Sequence, residues 1–386
     1  MKPWVQFACC AGLAALATLP AAARIKLAAL PERGATTIRL DNPAFTLIEE
    51  ERVLTLQKGV NKVDFSWAGV AIDPDSIRLA PLANPDKVLL LNVSFPPGEA
   101  ALVWEISCPE AIEEPVRISY LLSGIDRLIT YRAVASKDEK TADLKSYAVL
   151  RNFSGEDFEK AAVILEFGGP FEQSSAHEET RQTLFLSVPK TPIEKVWQFD
   201  SAKQAWDPEK VEGNVGIPVY YRILNDAKSG LGNNALAGGK IRVFQEDGRE
   251  STIFSGEDVP KVVPVGEKME VYVGDSRDIV VTQRRMQERQ VNIRKNTSGD
   301  IVLFDTDEVI TAKIENFKDT PAVLTMIQHI PGQWEMKDCN LEFKKKDAET
   351  LEFEIPIAAQ GKQELNMHFQ RRNVRPGRDA APLREP

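Results

Sequence analysis

Apolar and polar residues alternate in short runs along most of the chain, with turn residues between the runs. Thr37-Ile-Arg-Leu40, Arg52-Val-Leu-Thr-Leu56, Lys62-Val-Asp-Phe65 and Ile77-Arg-Leu79 repeat with period two, which puts one strand face in a core. Gly59-Val-Asn61, Asp73-Pro-Asp75 and Pro96-Pro-Gly98 break them. Residues 88–93 are apolar at nearly every position, the pattern of a central strand covered on both faces. Runs at 100–107, 116–122, 128–135, 145–152 and 161–167 complete an N-terminal β lobe, 24–168. Turns recurring roughly every eight to twelve residues predict sandwiches or barrels rather than βαβ units.

The pattern then changes twice. Residues 169–213 are polar and mixed, and read as an irregular connector with one strand-like run at 183–188 and a short helix at 194–204. A central β region follows at 214–294: the run from Ile217 to Asn225, a glycine-rich loop, Ile241-Arg-Val-Phe-Gln245, the turn Asp247-Gly248, and 262–273. Residues 283–294 are charged and nearly continuous, a pattern that fits a helix or a long exposed strand. Runs at 307–316, 322–330, 341–344, 350–357 and 363–370 give 295–370 the size and rhythm of an immunoglobulin-like sandwich. The expected fold is therefore all-β, with two or more antiparallel sandwich lobes. The tail 371–386 carries five arginines, three prolines and no apolar period, so disorder is expected.

Composition narrows the partners. The 386 residues carry a net charge of −9, and no whole domain is basic, which argues against nucleic acid. Lys2, an apolar run over 5–19 and Pro20-Ala21-Ala22-Ala23 have the layout of a cleaved secretion leader, 1–23. That run is shorter than the roughly 20 residues a spanning helix needs, and no later stretch approaches that length. The mature chain is expected in the periplasm or outside the cell. Only Cys108 and Cys339 follow the leader; export permits them to pair, and two unpaired core thiols fit the sequence equally well.

Catalytic signatures are missing. There is no G-x-S-x-G elbow, and His177-Glu178 lacks the second histidine of a zinc-protease helix. His329 and His368 fall within alternating runs, as strand side chains do. The loop ending Ala237-Gly238-Gly239-Lys240 resembles a phosphate cradle but has Asn234 where the leading glycine belongs and Ile241 where magnesium needs a hydroxyl. No catalytic or cofactor-binding residue is nominated. Asp305, Asp307 and Glu308, together with Glu315, form a cluster with a calcium-like composition, and solvated turns have the same composition. Trp197 and Trp206 are candidates for stacking on a sugar in a cleft between lobes. The tail, with a side-chain charge of +3, suits weak contact with an anionic surface.

Several phrases resemble one family. Leu236-Ala-Gly-Gly-Lys240-Ile-Arg-Val-Phe-Gln245, Gly256-Glu-Asp258, Gly266-Glu267, Gly274-Asp275 and Asp278-Ile279 resemble the characteristic block of mucoidy-inhibitor-like bacterial proteins. So do Trp104-Glu-Ile, Ser119-Tyr120-Leu, Asn152-Phe-Ser-Gly155, Glu315-Asn316-Phe-Lys318-Asp319 and Gly332-Gln-Trp334. The resemblance implies an all-β, exported envelope protein without an assigned activity. The chain departs from it in lacking the N-terminal domain and coiled coil, and in reading Gly124-Ile-Asp-Arg127 where members tend to carry tryptophan.

Together these features lead to the expectation of a non-catalytic interaction or structural module of the cell envelope, binding an envelope protein or itself. The alternative is a hydrolase or glycan-binding protein with its site between lobes.

Overall fold

A computed structural model describes residues 27, 28, 30–210, 212, 214 and 216–377; the predicted leader lies outside them. Strand makes up 62% of the structure and helical residues 3%, and the helical residues are three single 3-10 turns. The all-β expectation holds. Two compact units are present: the described residues up to Ile38 with Leu47–Ser123, and Arg39–Thr46 with those from Gly124 onward.

In the first unit one sheet runs in the order Leu27–Ala28, Gly59–Ser66, Ala101–Cys108, Leu89–Ser94. Thr46–Leu56 and Ile112–Leu122 are neighbours in another, with Arg78–Pro81 at its edge. Alternate side chains of Ala101–Cys108 are buried, as a period of two requires. They meet an aromatic cluster in which the Phe65 ring lies 5.9 Å from Trp67, 5.6 Å from Trp104 and 5.9 Å from Tyr120. Each such pair adds about 0.5–1.5 kcal/mol beyond its buried area.

The second unit contains three further sheets. A five-stranded sheet has the order Glu179–Pro192, Thr141–Asn152, Ile125–Ala135, Lys240–Glu246, Thr252–Asp258. A six-stranded sheet runs Lys268–Ser276, Ile217–Leu224, Glu194–Asp200, Ala322–His329, Thr350–Ile357, Lys344–Lys345. A four-stranded sheet runs Ile279–Lys295, Ile301–Asn316, Lys362–Val374, Gln333–Cys339. The six- and four-stranded sheets share a core containing Phe199, Leu324, Phe353 and Phe369. The five-stranded sheet packs Tyr131, Leu144 and Ile241 against Ile223, Met269 and Val271 of the six-stranded one.

Four sequence expectations are corrected. Residues 169–213 are not an irregular connector: Phe171–Ser175, Glu179–Pro192 and Glu194–Asp200 are strands. Glu179–Pro192 reads as polar because it is an edge strand with most side chains in solvent. The expected helix at 194–204 is a strand because Val196, Trp197 and Phe199 are drawn into the sheet and its core. The C-terminal sandwich does not begin at 295, since its core recruits Trp197, Ile217 and Val219 from earlier strands. Arg371 does not open a disordered segment: the strand Lys362–Val374 continues through it, and Val374 is buried opposite Phe304; residues 378–386 of the expected tail lie outside the described residues. Residues 283–294 take the strand alternative, within Ile279–Lys295.

The glycine-rich loop is held in place rather than loose. The buried Asn225 amide donates to the carbonyls of Asn234, Val263 and Pro264 and accepts from the Gly232 N–H. Gly239 then brings the chain against the neighbouring strand; a Cβ there would lie 2.1 Å from the Ile129 carbonyl oxygen. Gly239→Ala is expected to destabilise the protein by about 2 kcal/mol or more in urea unfolding, because the backbone it strikes cannot rotate away. Gly238→Ala, whose nearest contact is 3.3 Å, is expected to cost less.

Candidate functional site

The structure disperses the residues that the sequence singled out. Trp197 and Trp206 are 4% and 2% exposed, so neither ring is open to a sugar. The Trp206 indole N–H donates to the Ser201 carbonyl at 2.8 Å, and Lys195 and Lys318 lie 5.5 and 5.3 Å from the Trp197 ring. Cations pack over both rings, Lys195 and the distant Lys318 on Trp197 and Arg285 on Trp206, while the rings fill the core.

Asp305, Asp307 and Glu308 do not assemble a calcium site. Period two sends Asp305 and Asp307 to one face of Ile301–Asn316 and Glu308 to the other. Asp305 accepts from Asn292, Arg294 and the Asn373 N–H at 2.9–3.0 Å. Asp307 takes His368 at 2.8 Å, Arg289 at 2.9 Å and Gln287 at 3.1 Å. No group of three His, Cys, Asp or Glu side chains able to hold a metal occurs among the described residues. The carboxylates are neutralised by the protein's own cations.

Glu308 is fully buried, accepts from Thr306 at 2.7 Å and lies 3.7 Å from Arg371, itself 5% exposed, and 3.9 Å from Arg285. Arg371 also donates to the Pro331 carbonyl at 3.1 Å, while Arg372 pairs with Glu335 in solvent. Two of the five tail arginines are thus committed to strand contacts, which weakens the reading of the tail as an anionic-surface contact.

The thiols of Cys108 and Cys339 are free. Cys108 is buried in the first unit, whereas Cys339 belongs to the second and donates to the Leu341 carbonyl at 3.2 Å. Burial pushes the Cys339 thiol up, which lowers its reactivity. His177 accepts from the Gly155 N–H at 3.0 Å. His329 is 3.0 Å from Asp200 and 3.4 Å from the Thr350 hydroxyl, a tie across the ends of three adjacent strands. Asp200 is further bound to Lys203 at 3.1 Å.

A groove of about 640 Å³ crosses the six-stranded sheet, but most of its charges pair off. Arg222 meets Glu270 at 2.7 Å, Lys346 meets Glu352 at 3.1 Å and Lys344 meets Glu354 at 3.5 Å.

A different surface stands out in the first unit. Residues 88–93, expected at the centre of a sheet, form the edge strand Leu89–Ser94, exposed at all six positions. Among the described residues its sole neighbour in the sheet is Ala101–Cys108, with a bulge between Leu90 and Asn92. Leu89 and Leu91 are each 55% exposed, and Phe95 just beyond is 53% exposed. Successive side chains leave opposite faces of a strand, so both faces present apolar groups. A continuous apolar run is the same in sequence whether it is covered by its own protein or left open, so sequence alone gave no signal of this exposure.

No helix among the described residues is long and apolar enough to cross a membrane. No protein-family model matches the chain, and no curated protein matches it.

Two predictions follow from the buried charges. Arg371→Ala is expected to cost about 3 kcal/mol in chemical unfolding by removing the nearer of the two cations beside a buried carboxylate, while Arg372→Ala, at a solvent-exposed pair, costs less than about 1 kcal/mol. The second concerns acid. Burial pushes the Asp305 carboxyl up, but Asn292, the Asn373 N–H and Arg294 together hold it below the usual range. His368, and then Arg289, hold Asp307 low against the effect of burial. Their stabilising contribution is complete above the unfolded value of about pH 3.9 and is lost as pH falls through the folded values. Thermal unfolding followed from pH 7 to pH 2 is expected to show this loss, with a shallower slope in Asp307→Asn.

Proposed function

We propose that this chain is an exported, non-catalytic interaction module of the bacterial cell envelope, which takes up a strand of a partner polypeptide along Leu89–Ser94. The observation that carries this reading is the uncovered apolar edge. Natural sheets protect such edges with charges, bulges or a covering element, because unpaired N–H and C=O groups recruit further strands. Here the strand reads Leu-Leu-Leu-Asn-Val-Ser, without a charge, and the bulge between Leu90 and Asn92 interrupts it at one point only. In strand addition the main chain supplies hydrogen bonds and alternate side chains supply specificity, and this edge offers both.

The leader expected at 1–23 and the resemblance of the sequence to mucoidy-inhibitor-like proteins are what support the envelope setting. The partner is an envelope protein or a second copy of the chain. The inter-lobe hydrolase or glycan site loses its motive, because the two tryptophans that suggested it are buried.

In-cell cross-linking of the tagged mature chain tests the reading. A recurrent protein partner, or a homodimer, is expected, and Leu91→Lys is expected to abolish it while leaving the melting temperature unchanged, since Leu91 is exposed. A protein that sediments as a monomer and captures no partner in cells, or capture undiminished by Leu91→Lys, would overturn it.

A further inference from the structure

The outer face of the five-stranded sheet carries a row of like charges. Lys145 is registered opposite Arg132 on antiparallel neighbours, and Arg132 opposite Arg242 on parallel ones. Three cations therefore stand side by side across three adjacent strands, about 4.8 Å apart along the row. All three are exposed. Like charges directly opposite one another destabilise a sheet, so the row works against folding.

Its compensation is one-sided. Glu257, on the next strand, is 3.3 Å from Arg242 and 3.1 Å from Lys240. Among the described residues no carboxylate lies within ion-pair distance of Arg132 or Lys145. The nearest acid along the Lys145 strand, Asp143, accepts the Lys190 N–H at 2.9 Å. Beside the row lies a hollow of about 550 Å³ whose lining includes Tyr147, Gln182, Lys240 and Phe244.

We infer that this face binds an extended acidic polysaccharide, with Lys145, Arg132 and Arg242 engaging successive carboxylates. Charge complementarity selects a polyanion, and the repeat selects its kind: one cation per strand spacing suits one acid group per pyranose. Single-stranded nucleic acid is bound by several aromatic faces on which successive bases stack, but here Arg132 covers the Phe244 ring at 4.9 Å and Phe254 packs against it edge-on at 5.6 Å, so Phe244 and Tyr147 do not form such a series. Tyr147 remains beside the row as a surface for a sugar ring. This site lies within the second unit and does not depend on the edge strand of the first.

Affinity electrophoresis of the full chain in gels containing polygalacturonate, with dextran as the neutral control, tests the inference. Retardation by polygalacturonate alone, weakened by salt, is expected. Arg132→Gln should weaken binding about tenfold, the size of one charge-assisted hydrogen bond, and Arg132→Gln with Lys145→Gln should abolish it. The melting temperature of Arg132→Gln should hold or rise as repulsion is relieved, and Leu91→Lys should bind as the parent does. No retardation at low salt, equal binding by the double variant, or tighter binding of single-stranded DNA than of polygalacturonate would overturn it.

Discussion

One face of the strand Ile217–Leu224 serves two cores at once, and the second unit depends on that double duty. Ile217 and Val219 belong to the core shared with the four-stranded sheet, whereas Tyr221 and Ile223 belong to the core shared with the five-stranded one. Eight residues at about 3.3 Å each are long enough to reach both. A slip of one residue would turn all four side chains outward. The strand is held in register on both flanks, by Lys268–Ser276 and by Glu194–Asp200. The Tyr221 hydroxyl donates to Glu139, which Lys195 also holds at 2.7 Å.

Buried charge recurs as a second constraint. Glu308 is enclosed with Arg371 and Arg285 in the second unit, and Glu50 of the first unit, also fully buried, meets Arg33 at 2.5 Å and Arg52 at 2.9 Å. Such groups are poor sources of net stability, because desolvation offsets the attraction. They punish wrong pairings instead: a strand that slides leaves a carboxylate buried alone. At the same time they remove the acids that sequence marks as metal ligands.

The strands themselves were largely legible, because alternation survives in any half-buried sheet. Thr37-Ile-Arg-Leu40 and Lys62-Val-Asp-Phe65 lie where their period predicts. Misreadings arose where burial is decided by distant partners. Leu89–Ser94 has the composition of an interior strand and lies at an edge, since nothing local says which neighbours it will find. Arg371 reads as tail, and is strand because Glu308, far back in the chain, needs a counter-charge. The row of Lys145, Arg132 and Arg242 is invisible in sequence, because its members are brought together only by the register of three strands.

That register has a consequence for how the protein is made. The strands Ile125–Ala135 and Lys240–Glu246 pair in parallel, as do Glu194–Asp200 and Ala322–His329. Each pairing closes a loop of more than a hundred residues, and such closures are slow because chain entropy must be lost before any contact forms. The six-stranded sheet is incomplete until Thr350–Ile357 is available. Emerging N-terminus first, the chain must therefore wait, open, for its last quarter. That delay leaves the apolar strands of the second unit uncovered, and in need of escort, until the end of the chain arrives.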